Sequence, residues 1–198
     1  MKHFISRRNF LKAVGVTAAA SAMAAAVPQA SAGFLTGKDA AVTILYTNDV
    51  HTYIDHKSPK LTYAAIAAMK QGYVDEGKPV LLVDAGDHIQ GTAYGSMDDG
   101  ATIIELMNEA GYDIATLGNH EFDYGMARAK AIIKEADFPY VSCNWVDLRT
   151  GLRVLPAVKL FPAGGKWIAF VGITTPESFT KSTPAYFMNA KQTRYIYD

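Results

Sequence analysis

The sequence predicts an α/β fold built on a mostly parallel β-sheet. Strand-like runs alternate with helical segments, the runs are apolar almost throughout, and each of the first three ends in a cluster of polar residues. Continuous apolar strands separated by helices are typical of parallel sheets that are covered on both faces. Ligands of such sheets bind beyond the carboxyl ends of the strands, so we expect the three polar clusters to converge.

Six segments are predicted to be strands because they are rich in β-branched or other apolar residues. The last two are expected to form a hairpin through Gly164 and Gly165, whereas the first four form βαβ units with the helices between them. The predicted strands are residues 41–47, 80–83, 114–117, 138–143, 153–161 and 167–173.

Three segments, residues 60–73, 100–110 and 126–136, are predicted to be helices. Gly111 is expected to end the second helix. Apolar residues recur at helical spacing in the first two helices and should form their buried faces. These residues are Leu61, Ala64, Ala65, Ala68 and Met69 in the first helix, and Ile103, Ile104, Met107 and Ala110 in the second.

The N-terminus has the order of regions that is found in export signals. Residues 1–12 contain four basic and no acidic side chains, an Ala-rich apolar run follows, and Ala30-Ser31-Ala32 resembles a cleavage site. The segment SRRNFLK resembles the twin-arginine motif, which directs folded proteins to the twin-arginine export machinery. A membrane anchor is the alternative, but the run is somewhat short for a span of ~20 residues.

We therefore expect a signal peptide over residues 1–32, a linker over 33–40 and a folded part over 41–198. The mature protein would be periplasmic or extracellular, with no stable membrane span after cleavage. Four of the 19 basic residues lie in the signal, which leaves 15 Lys and Arg against 19 Asp and Glu, a net charge of −4. A mildly acidic protein without a basic stripe is not expected to bind nucleic acid polymers.

The polar clusters that follow the first three strands contain side chains of the metal-binding type. Asp49 and His51 are two residues apart in a segment predicted to be extended, so they should point to the same side. The glycines that precede the other two clusters would allow the backbone to approach a bound group. The three clusters are Asp49-Val50-His51, Gly86-Asp87 and Gly118-Asn119-His120-Glu121.

Carboxylate, amide and imidazole ligands without a thiolate favour divalent ions such as Mn, Fe or Zn. Two ions about 3.5–4 Å apart can activate a water molecule and hold the phosphate that it attacks. The single cysteine, Cys143, has no cationic neighbour in sequence and is expected to be a small buried residue rather than a reactive thiol.

The three motifs, in this order and each at a strand end, resemble those of the calcineurin-like metallophosphoesterases. Within them, the sequence resembles the secreted 5'-nucleotidase and 2',3'-cyclic phosphodiesterase group. The resemblance extends over about residues 41–173. It also includes Asp84-Ala85-Gly86-Asp87-His88-Ile89-Gln90-Gly91-Thr92 and Gly172-Ile173-Thr174-Thr175-Pro176.

The resemblance implies a dinuclear metal site in which Asp49 and His51 hold the first ion, Asp87 bridges both ions and Asn119 holds the second. It also implies that His120 is a catalytic histidine that does not bind metal. In that role, it would stabilise the phosphoryl group or protonate the leaving oxygen. Asn119 and His120 would therefore also contact the substrate. Asp123 would orient the imidazole of His120, as carboxylates near catalytic histidines do.

Other polar and aromatic residues near these motifs are expected to have structural roles. Asp84 is expected to be a structural carboxylate, and Glu121 a structural partner of the site. His88 is expected to be a loop side chain near the substrate, and His56 a solvated loop residue. The aromatic residues near the C-terminus are expected to belong to the core or an interface rather than to a base-stacking surface. They are Tyr186, Phe187, Tyr195 and Tyr197.

By this resemblance, the function would be hydrolysis of nucleotide phosphate esters by an exported enzyme. Two four-coordinate ions need roughly eight donors, which the family completes with later histidines, whereas this sequence has none after His120. We therefore expect an inactive N-terminal part of a metallophosphoesterase sandwich that lacks the second half and the C-terminal domain. The alternatives are a sulfur-oxidation thiosulfohydrolase of the same superfamily, which the intact Gly-Asn-His-Glu motif disfavours, and a noncatalytic degenerate binding module.

Overall fold

The computed structural model describes residues 40–54, 62–189 and 192–197. The predicted signal peptide, most of the predicted linker and His56 lie outside the described residues. Within the described ranges, no helix is long and apolar enough to cross a bilayer.

A parallel sheet of three strands forms the centre of the fold and confirms the predicted class. Its order is β1-β2-β3. Thr47 pairs with Asp84, and Asp84 pairs with Ala115, so the three strands end at one edge of the sheet. The strands are β1 (Thr43–Thr47), β2 (Val80–Asp84) and β3 (Ile114–Ala115).

Helices follow the first three strands and pack on one face of this sheet. Ile103, Ile104 and Met107 of the second long helix are fully buried, as predicted. Gly111 ends that helix in the left-handed conformation, with φ of 76°. The helices are α1 (Tyr63–Asp75), α2 (Ala93–Ser96), α3 (Ala101–Ala110), α4 (Met126–Glu135) and α5 (Ser178–Lys181), and the 3₁₀ turns are His120–Phe122 and Pro184–Phe187.

The buried face of α1 differs from the predicted face. Tyr63, Ile66 and Lys70 are buried, whereas Ala65 and Met69 are exposed. The predicted face relied on alanines, whose methyl groups gain little from burial compared with an aromatic ring or an isoleucine side chain. The larger side chains therefore determine which side of α1 faces the sheet.

A β-hairpin covers the other face of the sheet. It consists of β6 (Val158–Ala163) and β7 (Lys166–Val171), which are antiparallel and joined through Gly164 and Gly165, as predicted. Phe161 and Ala163 of the hairpin pack against Leu81 of β2, Ile114 of β3 and Val141. The sheet is therefore covered by helices on one face and by strands on the other.

Two predicted strands differ in the structure. The predicted strand 153–161 is interrupted near Pro156, which has no N–H group to continue a ladder, so β5 (Leu152–Arg153) is separate from β6. The predicted strand 138–143 pairs with β3 only at Tyr140. The N–H groups of Ser142 and Cys143 donate instead to the carbonyl groups of Pro156 and Gly172. Cys143 was expected to be buried but is half-buried.

A second sheet, in the order β10 (Tyr195–Tyr197), β4 (Trp145–Asp147) and β5, brings residues 195–197 against the core. The rings of Phe122, Trp145 and Phe187 are fully buried, and the ring centroid of Phe122 lies 5.3 Å from that of Trp145 and 5.0 Å from that of Phe187. The predicted core role is confirmed for Phe187, Tyr195 and Tyr197, whereas Tyr186 is 36% exposed. The remaining strands are β8 (Met188–Asn189) and β9 (Gln192–Thr193).

A buried ion pair between Lys70 and Asp113 links α1 to the start of β3. The Lys70 Nζ atom lies 2.7 Å from the Asp113 carboxylate, and both side chains are less than 10% exposed. We expect Lys70→Met to lower the free energy of unfolding by about 3–5 kcal/mol, because it leaves a buried carboxylate without its cation. Equilibrium denaturation with urea measures this change.

Lys78→Met is the matched control, because the ion pair of Lys78 with Glu76 is exposed on both sides. Exposed pairs contribute little to stability, so this variant should unfold at nearly the same urea concentration as the parent protein. If both variants lowered the free energy of unfolding equally, burial of the Lys70–Asp113 ion pair would not explain its contribution to stability.

Candidate functional site

Backbone hydrogen bonds join the loops that leave β1 and β2. The N–H of Asp49 donates to the carbonyl of Gly86 at 3.1 Å, and the N–H of His51 donates to the carbonyl of Asp87 at 3.0 Å. The pairing of the two strands thus continues into their loops. As a result, the first two polar clusters lie side by side.

The loops that leave β2 and β3 meet at two glycines. A Cβ atom on Gly86 would lie 2.3 Å from the backbone N of Gly118, and one on Gly118 would lie 2.2 Å from the Asp87 Oδ1 atom. Real side chains do not tolerate such distances. These glycines therefore allow two loops to touch each other, which is a different reason from the predicted approach to a bound group.

Four residues of the site have left-handed backbone conformations without being glycine. They are Asp49, His51, Thr52 and Asp87, with φ of 53°, 47°, 59° and 59°. The predicted extended segment from Asp49 to His51 is therefore wrong, although the Asp49 Oδ1 atom still lies 3.7 Å from the His51 Nε2 atom. Left-handed residues cost roughly 1–2 kcal/mol each, and they concentrate at functional sites.

One ligand-type atom from each exit loop contributes to a compact group. The group consists of His51, Asp87 and His120, whose potential ligand atoms all lie within 4.8 Å of one another. It is the only such group of His, Cys, Asp and Glu among the residues that the structure describes. The ring centroids of His51 and His120 are 4.9 Å apart. The three polar clusters therefore converge.

Hydrogen bonds determine which ring nitrogens of the two histidines remain free. The Nδ1 atom of His51 lies 3.0 Å from the carbonyl oxygen of Gln90, which can only accept, so Nδ1 donates and Nε2 keeps its lone pair. The Nδ1 atom of His120 lies 2.6 Å from the Asp123 carboxylate. His120 is therefore held through Nδ1 as well, and its Nε2 is available to a ligand.

The carboxylates near His120 affect its proton affinity. Partial burial lowers the pKa of His120, but the hydrogen bond and charge of Asp123, together with the charges of Asp87 and Glu121, outweigh burial and raise the pKa above its ordinary value. Burial, the charge of Glu121 and a hydrogen bond with Asp49 raise the pKa of Asp87. Close carboxylates that disfavour one another's charge are an environment that a cation would stabilise.

A fully buried polar cluster lies beneath the site. His88 was expected to be a loop side chain near the substrate, but it is fully buried, with Nδ1 2.7 Å from Asp84 and Nε2 2.8 Å from the hydroxyl of Tyr140. Burial lowers the pKa of His88, but the charges of Glu121 and Asp84 outweigh it and raise the pKa to about 9.

The structural roles expected for Asp84 and Glu121 agree with this cluster. Asp84 accepts hydrogen bonds from the Thr47 hydroxyl at 2.6 Å and from the Gly86 N–H at 2.8 Å. Glu121 is fully buried, accepts hydrogen bonds from three backbone N–H groups, and has its Oε1 atom 3.5 Å from the Nδ1 atom of His88. Neither carboxylate belongs to the group formed by His51, Asp87 and His120.

Ser182 contributes to the site and was missed by sequence reasoning. Its hydroxyl donates to the carbonyl of Asn119 and lies 3.4 Å from the Asp123 Oδ1 atom. Ser182 is 63 residues from Asn119 in sequence, and no motif surrounds it, so no local signal could have identified it. Asn119 itself directly precedes the 3₁₀ turn that contains His120.

The residues present fit a divalent metal ion. His51 offers a free ring nitrogen, Asp87 a carboxylate and His120 a second ring nitrogen, and the Asp49 carboxylate is adjacent to the group. This combination of oxygen and imidazole ligands suits Mn, Fe or Zn, and the described residues include no thiolate partner that would indicate a structural zinc site.

The sequence is similar to known phosphoesterases. The profile of the family described as calcineurin-like phosphoesterase matches residues 42–186. A 5'-nucleotidase of Homo sapiens is 35% identical over 161 residues, which are 72% of this chain and 28% of that protein. Protein UshA of Salmonella pullorum is 32% identical over 185 residues, which are 90% of this chain and 33% of that protein. The chain thus spans a third or less of these curated relatives.

Solved structures of similar fold include the calcineurin-like phosphoesterase YfkN of Bacillus subtilis, which has a TM-score of 0.64 and 27% sequence identity to this chain. The match covers 79% of this chain and 53% of that chain. The SoxB sulfate thiohydrolase of Thermus thermophilus has a TM-score of 0.66 over 82% of this chain and 40% of that chain, but at 16% identity it shows the fold alone. Fold, motif order and family profile agree, and the chain belongs to the calcineurin-like phosphoesterase family.

Proposed function

We propose that the protein is an exported, metal-dependent hydrolase of nucleotide phosphate esters, of the 5'-nucleotidase type. The observation that carries this proposal is the convergence of His51, Asp87 and His120 from three strand ends within 4.8 Å. The similarity to proteins named 5'-nucleotidase, at 32–35% identity, supports the nucleotide as substrate.

Asp49, His51, Asp87 and Asn119 are the proposed metal ligands. Two divalent ions held there would neutralise phosphate charge and activate the attacking water. The protein's contribution is to hold these side chains in place before substrate binds, through the backbone bonds between the loops after β1 and β2. Preorganised charges of this kind need no rearrangement during the reaction.

His120 is proposed as the acid that protonates the leaving oxygen of the ester. Asp123 holds its Nδ1–H, so the proton to be transferred is on Nε2. The Asp123 carboxylate at 2.6 Å stabilises the protonated imidazole, which is the form that an acid requires. Asn119, adjacent to His120, is proposed to contact the phosphate as well as a metal ion.

The described residues offer fewer donors than two four-coordinate ions require. Asp49, His51, Asp87 and Asn119 provide four or five oxygen and nitrogen ligands, whereas two such ions need roughly eight. We therefore propose that the 198-residue chain binds metal weakly and turns over substrate slowly, and that a longer form of the protein is faster.

Export through the twin-arginine machinery is part of the proposal and is supported by the sequence of residues 1–32. Two similar relatives are named as snake venom proteins, which agrees with an exported protein. The thiosulfohydrolase alternative has less support, because SoxB shares only the fold. A joint measurement of metal content and of phosphate-ester hydrolysis distinguishes the degenerate binding module from the enzyme.

Metal content and hydrolysis of a chromogenic phosphate ester are measured together, on this chain and on a version extended at the C-terminus. We expect hydrolysis that a chelator abolishes and that Mn²⁺ restores, because the ligand group is built from carboxylates and imidazoles. Bound metal without hydrolysis in either version would favour the binding module. Hydrolysis that resists chelation would contradict the proposal.

His120→Ala should lower kcat about 10²–10⁴-fold, the usual contribution of a general acid, and leave the metal content nearly unchanged. Kinetics and elemental analysis of the same sample measure both quantities, in whichever version of the protein hydrolyses the ester. Because the ring of His120 also lies within reach of the candidate ion, loss of metal would show that His120 is a ligand instead.

Asp87→Ala should lose bound metal, because Asp87 is the proposed bridge between two ions. Elemental analysis after dialysis measures this loss. Asp75→Ala, which removes an exposed carboxylate at the end of α1, is the matched control and should retain metal. Full metal content in Asp87→Ala would show that Asp87 is not the bridge.

A further inference from the structure

Glu121 is a fully buried carboxylate that accepts hydrogen bonds from three backbone N–H groups. Its Oε2 atom lies 2.8 Å from the N of Asp87 and 2.6 Å from the N of Gly118, and its Oε1 atom lies 2.8 Å from the N of His88. Asp87 and His88 belong to the loop after β2, whereas Gly118 belongs to the loop after β3. A single side chain therefore connects both loops.

The turn that contains Glu121 also orients the Asp87 side chain. The N–H of His120 donates to the Asp87 Oδ1 atom at 2.7 Å. The backbone of Asp87 is therefore fixed by Glu121, and its carboxylate is fixed by the residue directly before Glu121. These bonds connect Asp87 and His120, which are 33 residues apart in sequence.

The three bonds give Glu121 a role that a neutral side chain cannot replace. Hydrogen bonds to a carboxylate are roughly twice as strong as those between neutral groups, and both oxygens are used. A glutamine at this position would present one oxygen and one NH₂ group. At least one of the three N–H groups would then face another donor in a buried environment, which is strongly unfavourable.

We propose that Glu121 is a positioning residue that sets the separation of the loop of Asp87 from the loop of Asn119 and so determines the metal affinity of the site. This inference rests on the proposed function, since it assigns metal binding to Asp87. Glu121 acts through backbone groups and is not itself a ligand. Residues that orient metal ligands typically contribute 10–100-fold to affinity.

The test compares Mn²⁺ affinity, measured by titration calorimetry, in the parent protein and in Glu121→Gln. We expect binding to weaken about 10–100-fold. Glu105→Gln removes an exposed charge of α3, and Tyr140→Phe removes a buried hydrogen bond to His88 without touching either loop backbone. Both controls should bind Mn²⁺ like the parent, although Tyr140→Phe lowers the melting temperature.

Equal affinity in Glu121→Gln and the parent protein would overturn the proposal. It would also be overturned if Tyr140→Phe weakened binding as much as Glu121→Gln, because the effect would then follow from general loss of stability. A selective loss in Glu121→Gln, at a melting temperature no lower than that of Tyr140→Phe, would support the positioning role.

Amide hydrogen exchange of the metal-free parent protein provides an independent measurement. The N–H groups of Asp87, His88 and Gly118 lie outside strands and helices, yet they should exchange slowly because Glu121 accepts from each. Rapid exchange at these positions would overturn the proposal even if Glu121→Gln fails to fold. If neither the parent nor the extended version binds Mn²⁺, the proposed function fails, and exchange alone decides whether Glu121 holds the loops.

Discussion

The loops after β2 and β3 touch each other through backbone atoms at Gly86 and Gly118, and the geometry of the candidate site depends on this contact. No Cβ atom fits at either glycine, because it would overlap the other loop. The close approach brings the Asp87 carboxylate to the N–H of His120 at 2.7 Å. Side chains from separate loops can therefore reach one ion without long or mobile connections, which is the preorganisation that metal and phosphate sites require.

The same approach concentrates negative charge in a small and partly buried volume. Asp84, Asp87 and Glu121 lie close together, and their repulsion is reduced by backbone N–H groups and by the buried imidazole of His88. Buried charges are stable only when they are paired or hydrogen-bonded. The cluster meets this condition beneath the site, whereas above it Asp87 interacts with the carboxylate of Asp49, which helps to raise the pKa of Asp87. A bound divalent ion would complete the charge balance.

The aromatic core connects the site to residues that are distant in sequence. Phe122, next to Glu121, packs between the rings of Trp145 and Phe187, and Ser182 holds the carbonyl of Asn119. The 3₁₀ turn that contains His120 is too short to be stable alone. Burial of Phe122 among these rings supplies the stability, so the segments after residue 140 support the geometry of motifs that precede them.

The sequence by itself determined the order and type of the main elements and the chemical character of the site. Apolar periodicity, as in Ile103, Ile104 and Met107 of α3, and polar clusters at strand ends are local signals that do not depend on the rest of the chain. Only the tertiary structure decided the left-handed backbone at Asp49 and His51, the burial of His88 and the contribution of Ser182. Each of these features results from contacts between residues that are far apart in the chain, such as His88 and Tyr140, which are separated by 52 positions. The local sequence cannot predict such contacts, because it does not specify which distant groups will meet.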